Sequence, residues 1–412
     1  MKKKIVFVIN YFYPDLASTG QLLTELCIEL QKDFEITVIA AQPGYNNEKR
    51  NSTNSIFEKD KLEDINIVRI KLPTVNKLSK ISRIKYIFSY FFLALIALIK
   101  EKNVDIIYTI SQPPVLGGLI GTIGKFFKRN KHVYNIQDFN PEQAKVINFT
   151  GNKYIYQIAK KIDKINCSYS DKVIVVGNDM VETLKNRFKE KKVPSYAMIN
   201  NWTDEEDIIP LPKDNQILQN FKEKYNLQNK FIVMYSGNLG LYYDLENIIT
   251  LTKQFIDNKE IMFVFIGDGA VKKKMEEYVM INNLQNVLFI PYQDKNFIKF
   301  SLNVADIHLV VNQKGIKGVS VPSKIYGVMA AGKPILGILE KKSEAEILIS
   351  SSNSGVVVEP QDYDGIVEKI KYLYEMDTSS LDEMGLKGRE YLENNLRKSI
   401  SICKYRELLK NI

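Results

Sequence analysis

The feature that most constrains the fold is a repeated rhythm of short apolar runs, rich in Val and Ile, each followed by a loop and a helical segment. Strands that are apolar along their whole length are covered on both faces, which indicates a parallel sheet between two layers of helices. Both halves of the chain show this rhythm, so the sequence predicts two doubly wound α/β domains. The runs lie at residues 5–10, 35–40, 65–70, 104–109, 132–137 and 172–176, and then at 231–235, 262–266, 287–290, 307–311, 335–339 and 355–358.

A change of composition marks the junction between the two halves. Residues 203–212 are acidic and contain two prolines, and a polar helical stretch follows. We predict a first domain at 1–205 and a second at 206–412, with a last helix that could return to the first. Both should be Rossmann-like, and they should face each other across a cleft that receives the carboxyl ends of their strands.

Composition limits the chemistry. The net charge of +9 suits an anionic partner, such as nucleic acid, anionic lipid or a phosphorylated substrate. Two histidines, both in predicted strands, exclude a His-rich metal site, and three cysteines argue against a disulfide framework. The basic start of the chain leads into a short apolar run that predicts a strand rather than a signal peptide. No uninterrupted apolar run reaches the roughly 18–20 residues that span a bilayer.

The most informative segment is residues 319–334, between two predicted strands. Pro322 and Ser323 suit the start of a short helix, and Gly332 followed by Pro334 suits its end. A helix start at the carboxyl edge of a parallel sheet binds anions, and Lys324 adds a full positive charge. The segment therefore suits a nucleotide diphosphate, although an ordinary strand–turn–helix explains it equally well.

Loops after other predicted strands carry small and polar residues. Ser18, Thr19 and Gly20 crowd a helix start after the first strand, where a glycine lets a phosphate or sugar approach the backbone. Residues 236–240 could form an amide nest for phosphate, and residues 267–269 allow a similar close approach. Capped turns of ordinary type remain the alternative for each loop.

One acidic residue follows a buried strand of the first half. Asp138 comes directly after the run at 132–137, so it is expected at the carboxyl edge of the sheet. A carboxylate there could bind acceptor hydroxyls or stabilise positive charge in a transition state. It could equally cap the helix that begins near Pro141.

Taken in order along the chain, these motifs resemble family 4 of the glycosyltransferases, and within it the bacterial WbuB- and WcaI-like transferases of O-antigen, capsule or colanic acid biosynthesis. The resemblance implies a GT-B fold, a UDP-sugar as donor substrate, transfer with retention at the anomeric carbon, and no metal or other cofactor. It covers nearly the whole chain and is carried by residues 11–26, 136–142, 200–204, 236–240 and 322–327.

The resemblance also implies site residues. Asp138, Gly20 and Lys324 are the expected catalytic residues, with Ser18, Thr19 and Gly20 on the acceptor side. The expected donor-binding residues are Ser236, Gly237, Asn238, Asp268, Gly269, Tyr292, Lys317, Pro322, Ser323, Lys324, Ile325 and Tyr326.

The chain departs from the family pattern at its charged positions. Val319 and Gly327 stand where most members carry a pair of glutamates, and Asn238 and Tyr243 stand at or near the places of an Arg and a Lys. We hypothesise that Lys324, together with Lys317, supplies the displaced positive charge.

A segment of the first half suits a membrane surface. Residues 71–100 contain no acidic side chain, and apolar residues recur there at helical spacing. Such a helix can lie on an anionic bilayer, although a core helix packed on the first sheet is the alternative. The expected membrane-facing residues are Lys77, Lys80, Arg83, Lys85, Phe88 and Phe91.

The sequence thus predicts a retaining, metal-independent hexosyltransferase of the cytoplasm that associates peripherally with the inner face of the plasma membrane. It would move a sugar, an N-acetylated deoxyhexosamine, from UDP to a polyprenyl-diphosphate-linked sugar in surface polysaccharide biosynthesis. A nucleotide-sugar 2-epimerase of the same fold and a non-catalytic nucleotide-sugar-binding subunit remain alternatives. Nucleic acid is not an expected partner, because the positive charge is concentrated in one apolar-flanked segment.

Overall fold

A computed structural model of the chain describes residues 2–15, 18–43, 55–74, 80–146 and 153–412. Its contacts divide the chain into two compact units. The first comprises Met1–Asn200 with Ser401–Ile412, and the second comprises Asn201–Ile400. The division falls slightly before the boundary expected from composition at 205/206.

The first unit is built on one sheet with the strand order β3-β4-β2-β1-β5-β6-β7-β8. Neighbouring strands run parallel except for β3 and β4, which pair antiparallel at the edge. β1 and β5 lie side by side although they are distant in sequence, which makes their junction the topological switch point. The strands are β1 (Lys4–Val8), β2 (Glu35–Ala41), β3 (Phe57–Leu62), β4 (Ile65–Ile70), β5 (Ile106–Ile110), β6 (Lys131–Ile136), β7 (Lys172–Val175) and β8 (Tyr196–Met198).

The helices of residues 1–200 connect these strands. α3 rests on β6 so closely that a Cβ added at Gly121 would lie 1.9 Å from Nε2 of His132. The glycines of α3 therefore let the helix approach the sheet. The helices are α1 (Ser18–Leu30), α2 (Lys80–Lys100), α3 (Leu116–Lys128), α4 (Asn140–Val146), α5 (Lys153–Tyr169) and α6 (Asn178–Arg187).

α2 is the crossover helix between β4 and β5, and one of its faces is part of the core. Tyr90, Ala94 and Leu98 are fully buried against the sheet. Phe91 is also buried, so its expected membrane-facing position is wrong. Lys77 and the side chain of Lys80 lie outside the described residues.

α2 is also apolar along most of its length. Among the described residues, Ile81–Lys100 is long and apolar enough to cross a membrane on composition alone. The inner face of α2 packs on the sheet.

The second unit is built on a fully parallel sheet with the strand order β11-β10-β9-β12-β13-β14. β9 and β12 are neighbours here, so the switch point lies between them. The strands are β9 (Phe231–Ser236), β10 (Ile261–Ile266), β11 (Val287–Ile290), β12 (Ile307–Val311), β13 (Ile335–Ile338) and β14 (Gly355–Val358).

Helices flank this second sheet. They are α7 (Gln216–Lys224), α8 (Leu245–Leu251), α9 (Lys272–Ile281), α10 (Ile298–Asn303), α11 (Lys324–Ala330), α12 (Glu344–Ser352), α13 (Tyr363–Glu375) and α14 (Thr378–Asn395). α11 is the short helix of the segment 319–334, and Gly332, two residues beyond its end, has a φ of +61°.

The last helix, α15 (Lys398–Asn411), completes the first unit. The hydroxyl of Ser401 donates to the carbonyl of Asn200 over 2.9 Å, and Arg406 pairs with Asp33 over 2.7 Å. Tyr405 is buried and accepts a hydrogen bond from the amide of Asn135 on β6. The end of the chain therefore belongs to the core of the unit that contains its start.

Candidate active site

The carboxyl edge of the second sheet holds a lysine between two aromatic rings. The ammonium of Lys324 lies 3.9 Å from the ring centroid of Tyr235, at the end of β9, and 4.2 Å from that of Tyr243. It also donates a hydrogen bond to the Tyr235 hydroxyl. Such cation–π contacts fix the position of the charge without neutralising it. The start of α11 and the end of β9 are thereby brought together.

Lys324 faces the glycine that follows β9. A Cβ added at Gly237, whose φ is +139°, would lie 3.5 Å from Cε and 3.8 Å from Nζ of Lys324. Nζ forms no salt bridge among the described residues. The arrangement therefore presents an uncompensated ammonium group beside an exposed stretch of backbone, which is the chemistry of a phosphate site.

The pKa of Lys324 reflects this environment. Burial lowers the pKa of its ammonium to about 7, because partial removal from water disfavours the charged form. A diphosphate placed beside the ammonium would favour the charged form and raise the pKa again. Binding of an anion beside Lys324 would therefore be accompanied by uptake of a proton by the ammonium group.

Two glycines let the loops after β9 and β10 meet. Gly267 has a φ of +141°, and a Cβ there would lie 2.0 Å from the carbonyl oxygen of Gly237. At Gly269, a Cβ would lie 2.2 Å from the carbonyl oxygen of Leu239 and 2.7 Å from Oδ1 of Asn238. The expected donor-binding residues of these two loops therefore form one continuous surface.

Tyr292 extends the surface beyond β11. Its hydroxyl donates to the carbonyl of Asp268 over 3.2 Å, and about half of its side chain, 53%, is exposed. An exposed aromatic ring at the third strand end suits stacking on a nucleobase. The residues that lie together at this edge are Ser236, Gly237, Asn238, Asp268, Gly269, Tyr292 and Lys324.

The remaining expected donor residues have other surroundings. Ile325 and Tyr326 are fully buried, so their side chains pack in the core. Pro322 is buried and Ser323 half-buried, and the Ser323 side chain makes no capping hydrogen bond. The ammonium of Lys317 donates to the carbonyl of Lys341 over 2.7 Å. Within the segment, Lys324 is therefore the lysine that contacts the edge of β9.

The carboxyl edge of the first sheet carries the expected acceptor-side residues. Ser18, Thr19 and Gly20 form the start of α1, after β1. A Cβ at Gly20 would lie 2.9 Å from the carbonyl oxygen of Tyr11, so this glycine is required for packing within its own loop.

Asp138 lies at the same edge, just after β6. Its side chain is half-buried, and its backbone amide donates to the hydroxyl of Ser111, which follows β5, over 3.3 Å. Because parallel strands end at a common edge, the loops after β1, β5 and β6 surround the switch point of the first unit.

A buried ionic network beneath Asp138 was not expected from the sequence. Arg187, at the end of α6, makes a two-pronged pair with Glu142 of α4 and a single bond with Asp163 of α5. Its guanidinium also lies 4.2 Å from the ring centroid of Phe139. Burial acts to raise the pKa of Glu142, but the hydrogen bonds and charge of Arg187 together with the charge of Lys160 outweigh it, so that the pKa is lowered. The network fixes the segment that follows Asp138, and spacing alone gave no signal for it.

Both histidines are structural. The ring of His132 bonds to the hydroxyls of Thr109 and Ser170, over 2.8 Å and 3.2 Å, and His308 bonds to the carbonyl of Leu302. Burial lowers the pKa of His132 to about 3 and that of His308 to about 4. Neither side chain can therefore act as an acid or base near neutral pH.

Two cavities in the second unit lie away from this edge. One of about 370 Å³ is lined by residues that include Glu205, Arg389 and Arg397, and one of about 360 Å³ lies near Lys230 and Val287, at the amino ends of strands. Open loops at a sheet edge form a shallow surface, so the candidate site is defined by its residues rather than by an enclosed volume.

Comparisons with known proteins identify the family that this chain resembles. Residues 218–397 match the family model described as glycosyl transferases group 1, which includes the edge built around Lys324. The probable glycosyltransferase WbjE of Pseudomonas aeruginosa is 27% identical over 340 residues, covering 81% of this chain and 82% of WbjE. The chain is therefore similar to glycosyltransferases over most of its length, and residues 218–397 match the model of the glycosyl transferases group 1 family.

Two further similar proteins cover almost the full length of the chain. The putative colanic acid biosynthesis glycosyl transferase WcaI of Escherichia coli (strain K12) is 24% identical over 411 residues, covering 96% of this chain and 97% of WcaI. The structure of HepE from Anabaena, in complex with UDP and glucose, has a TM-score of 0.70 at 13% identity and covers 100% of both chains. The resemblance to family 4 and the GT-B fold of two Rossmann-like units are thereby confirmed.

Proposed function

We propose that this glycosyltransferase takes a UDP-sugar as donor and binds its diphosphate at the edge formed by β9, β10 and the start of α11. The observation that carries the proposal is the ammonium of Lys324, held against Gly237 by the rings of Tyr235 and Tyr243. The complex of HepE with UDP and glucose, a structure of the same fold, supports this choice of donor.

The proposed reaction separates charge at the donor. The bond between the anomeric carbon and the diphosphate oxygen breaks, and a bond from an acceptor hydroxyl to the same carbon forms on the same face. The acceptor proton passes to the leaving phosphate. Lys324 and the backbone amides of the 236–238 loop stabilise the developing negative charge on UDP. Tyr292 would stack on the uracil, and the configuration at the anomeric carbon is retained.

The first unit is the proposed acceptor side. The Ser18–Gly20 start of α1 and the carboxylate of Asp138 lie at its carboxyl edge. The name of WcaI includes colanic acid biosynthesis, which supports an acceptor of surface polysaccharide assembly. We propose a polyprenyl-diphosphate-linked sugar as acceptor, an N-acetylated deoxyhexosamine as the transferred sugar, and the inner face of the plasma membrane as the location.

The test of donor binding is calorimetric titration of UDP into the wild type and into Lys324→Ala. Loss of one desolvated charge–phosphate contact costs on the order of 2–3 kcal/mol, so the dissociation constant should rise about 30- to 150-fold. Lys317→Ala is the matched control, because it removes an exposed lysine of the same segment whose ammonium is held by Lys341. Equal UDP affinity of wild type and Lys324→Ala would refute the site.

Turnover separates the proposed transferase from the two alternatives. Incubation with a UDP-sugar and a lipid-diphosphate-linked sugar should yield UDP and an extended lipid, with a retained anomeric configuration by NMR. An altered UDP-sugar formed without acceptor would instead establish a 2-epimerase. Binding of UDP-sugars without turnover on any lipid-linked acceptor of the screen would favour a non-catalytic subunit.

A further inference from the structure

Three helices of the first unit form a continuous layer on its sheet. α3 lies between α2 and α5, and its glycines bring the helices close. A Cβ at Gly124 would lie 2.5 Å from Cδ2 of Leu98 on α2, and the hydroxyl of Thr122 bonds to Asn166 on α5 over 3.1 Å. Lys125 further donates to the carbonyl of Tyr169, the last residue of α5. We refer to α2, α3 and α5 together as the three-helix layer.

The outward side of the three-helix layer is apolar. On α2 the exposed residues follow helical spacing, so they form one stripe opposite the buried face of Tyr90 and Leu98. α5 carries a second stripe, and α3 adds two phenylalanines at its end. The exposed apolar residues are Ile81, Ile84, Phe88, Phe92, Ile96 and Ile99 on α2, Phe126 and Phe127 on α3, and Tyr154, Ile155, Ile158, Ile165 and Tyr169 on α5.

The charge of the layer is one-sided. The sequences of α2, α3 and α5 contain a single acidic residue, Asp163, and its carboxylate is buried, where it bonds to Arg187 and Tyr134. Two of the lysines of the layer are paired, Lys125 with Asp171 and Lys160 with Glu142. The basic residues of the layer whose side chains the structure describes are Arg83, Lys85, Lys100, Lys125, Lys128, Lys153, Lys160, Lys161 and Lys164.

We propose that the three-helix layer is a docking surface for an anionic phospholipid bilayer, with α5 as a second contacting helix beside α2. Exposed Ile and Phe side chains would enter the boundary between headgroups and acyl chains, and Tyr154 and Tyr169 would lie at headgroup level. Lysines around the stripes would contact lipid phosphates. The contact is peripheral, because the inner faces of all three helices are held by the sheet.

Charge complementarity favours a bilayer over a second copy of the chain. A symmetric dimer through this surface would place two basic layers against each other, and unscreened like charges at an interface cost free energy. An anionic bilayer would instead bury the apolar stripes and place lipid phosphates beside the lysines.

The layer also reaches the acceptor edge. The hydroxyl of Tyr86, on the buried side of α2, donates over 3.3 Å to Oδ1 of Asn10, which lies just after β1. Docking through α2 would therefore hold the loop after β1 near the lipid surface. This inference concerns the first unit alone and stands whether or not UDP is the donor.

The experiment is co-sedimentation of the full chain with vesicles of neutral phosphatidylcholine and of phosphatidylcholine with phosphatidylglycerol. We expect binding to the anionic vesicles that weakens as salt is raised. The decisive variant is Tyr154→Asp/Ile158→Asp on α5, for which we expect the partition coefficient to fall at least tenfold. The matched control is Met280→Asp/Ile281→Asp on α9, where both residues are exposed at 70% and 75% on the second unit.

Two results would overturn the proposal. One is binding of the α5 variant equal to that of wild type and control. The other is absence of vesicle binding together with a wild-type dimer, by light scattering, that the α5 variant dissociates. Far-ultraviolet circular dichroism of each variant without vesicles tests whether the fold is intact. UDP titration of the same samples tests the donor site, so a failure of UDP binding is distinguished from a failure of docking.

Discussion

Lys324 is the residue that we propose in place of the charged ligands expected from the family pattern. The pair of glutamates and the basic residues expected from the family pattern are replaced in this chain by Val319, Gly327, Asn238 and Tyr243. The ammonium of Lys324 instead lies over the rings of both Tyr235 and Tyr243. When protonated, a lysine held by rings has no carboxylate to neutralise its charge, so the charge is available to a ligand.

We expect UDP affinity to depend on pH through Lys324. Its pKa of about 7 in the free protein means that the ammonium loses its proton above neutral pH. A bound diphosphate favours the charged form, so the complex takes up a proton and affinity falls as pH rises above 7. Between pH 7.5 and 9 the dissociation constant should rise more than about tenfold, as measured by calorimetric titration.

Lys324→Arg provides the control for this dependence, since a guanidinium stays charged across the range. Its UDP affinity should change by less than about twofold between pH 7.5 and 9. A wild-type affinity that is constant over the same range would contradict the role given to the ammonium.

A second expectation at this scale concerns Gly267. Gly267→Ala places a Cβ where the carbonyl of Gly237 already lies, in a backbone conformation that L side chains rarely adopt. We expect the second unit to lose about 2 kcal/mol of stability or more and UDP binding to weaken strongly. Thermal unfolding and UDP titration measure the two effects. At Gly327 a Cβ would meet Leu302 at 3.4 Å, so Gly327→Ala should change both by much less.

At the scale of elements, the helices around Asp138 are held together by one side chain. Arg187 joins α6 to α4 and α5 through Glu142 and Asp163. We expect Arg187→Met to lower the stability of the first unit by about 3–5 kcal/mol, because it leaves the buried carboxylate of Asp163 without a cation and that of Glu142 with Lys160 alone. The fall in melting temperature should be measured with Lys185→Met, on the same helix, as control. An unchanged melting temperature would show that the network is not needed.

Element by element, the sequence predicted the sheets more completely than the helix faces. Runs of Val and Ile identified the central strands, since burial on both faces leaves a continuous apolar pattern. β3 was missed because an edge strand tolerates charge, as its sequence Phe57–Leu62 shows. Phe91 and Phe92 are adjacent in sequence, yet one is buried and the other exposed, and only the packing of α2 on the sheet distinguishes them.

At the scale of the whole molecule, the chain closes its first unit with its last residues. Tyr405 and Leu409 are buried in a unit whose other residues precede position 201. We expect a chain ending at residue 400 to lose the thermal unfolding transition of the first unit. Limited proteolysis should then cleave the first unit, while the second unit should keep its own unfolding transition. A chain lacking only Asn411 and Ile412 should behave as wild type. Independent stability of the first unit in the shorter chain would contradict this assignment.

The order of apolar runs and helical segments determined by itself that this chain forms two parallel α/β units, because period and length of apolar patterns are local properties of the sequence. The same holds for the loops that carry Gly237, Asp268 and Lys324, which must follow strands and so reach a common edge. Tertiary structure alone decided which charges meet. The enclosure of Lys324 by Tyr235 and Tyr243, the network of Arg187 and the alignment of α5 with α2 each join residues that are distant in sequence, and local pattern holds no information about such contacts.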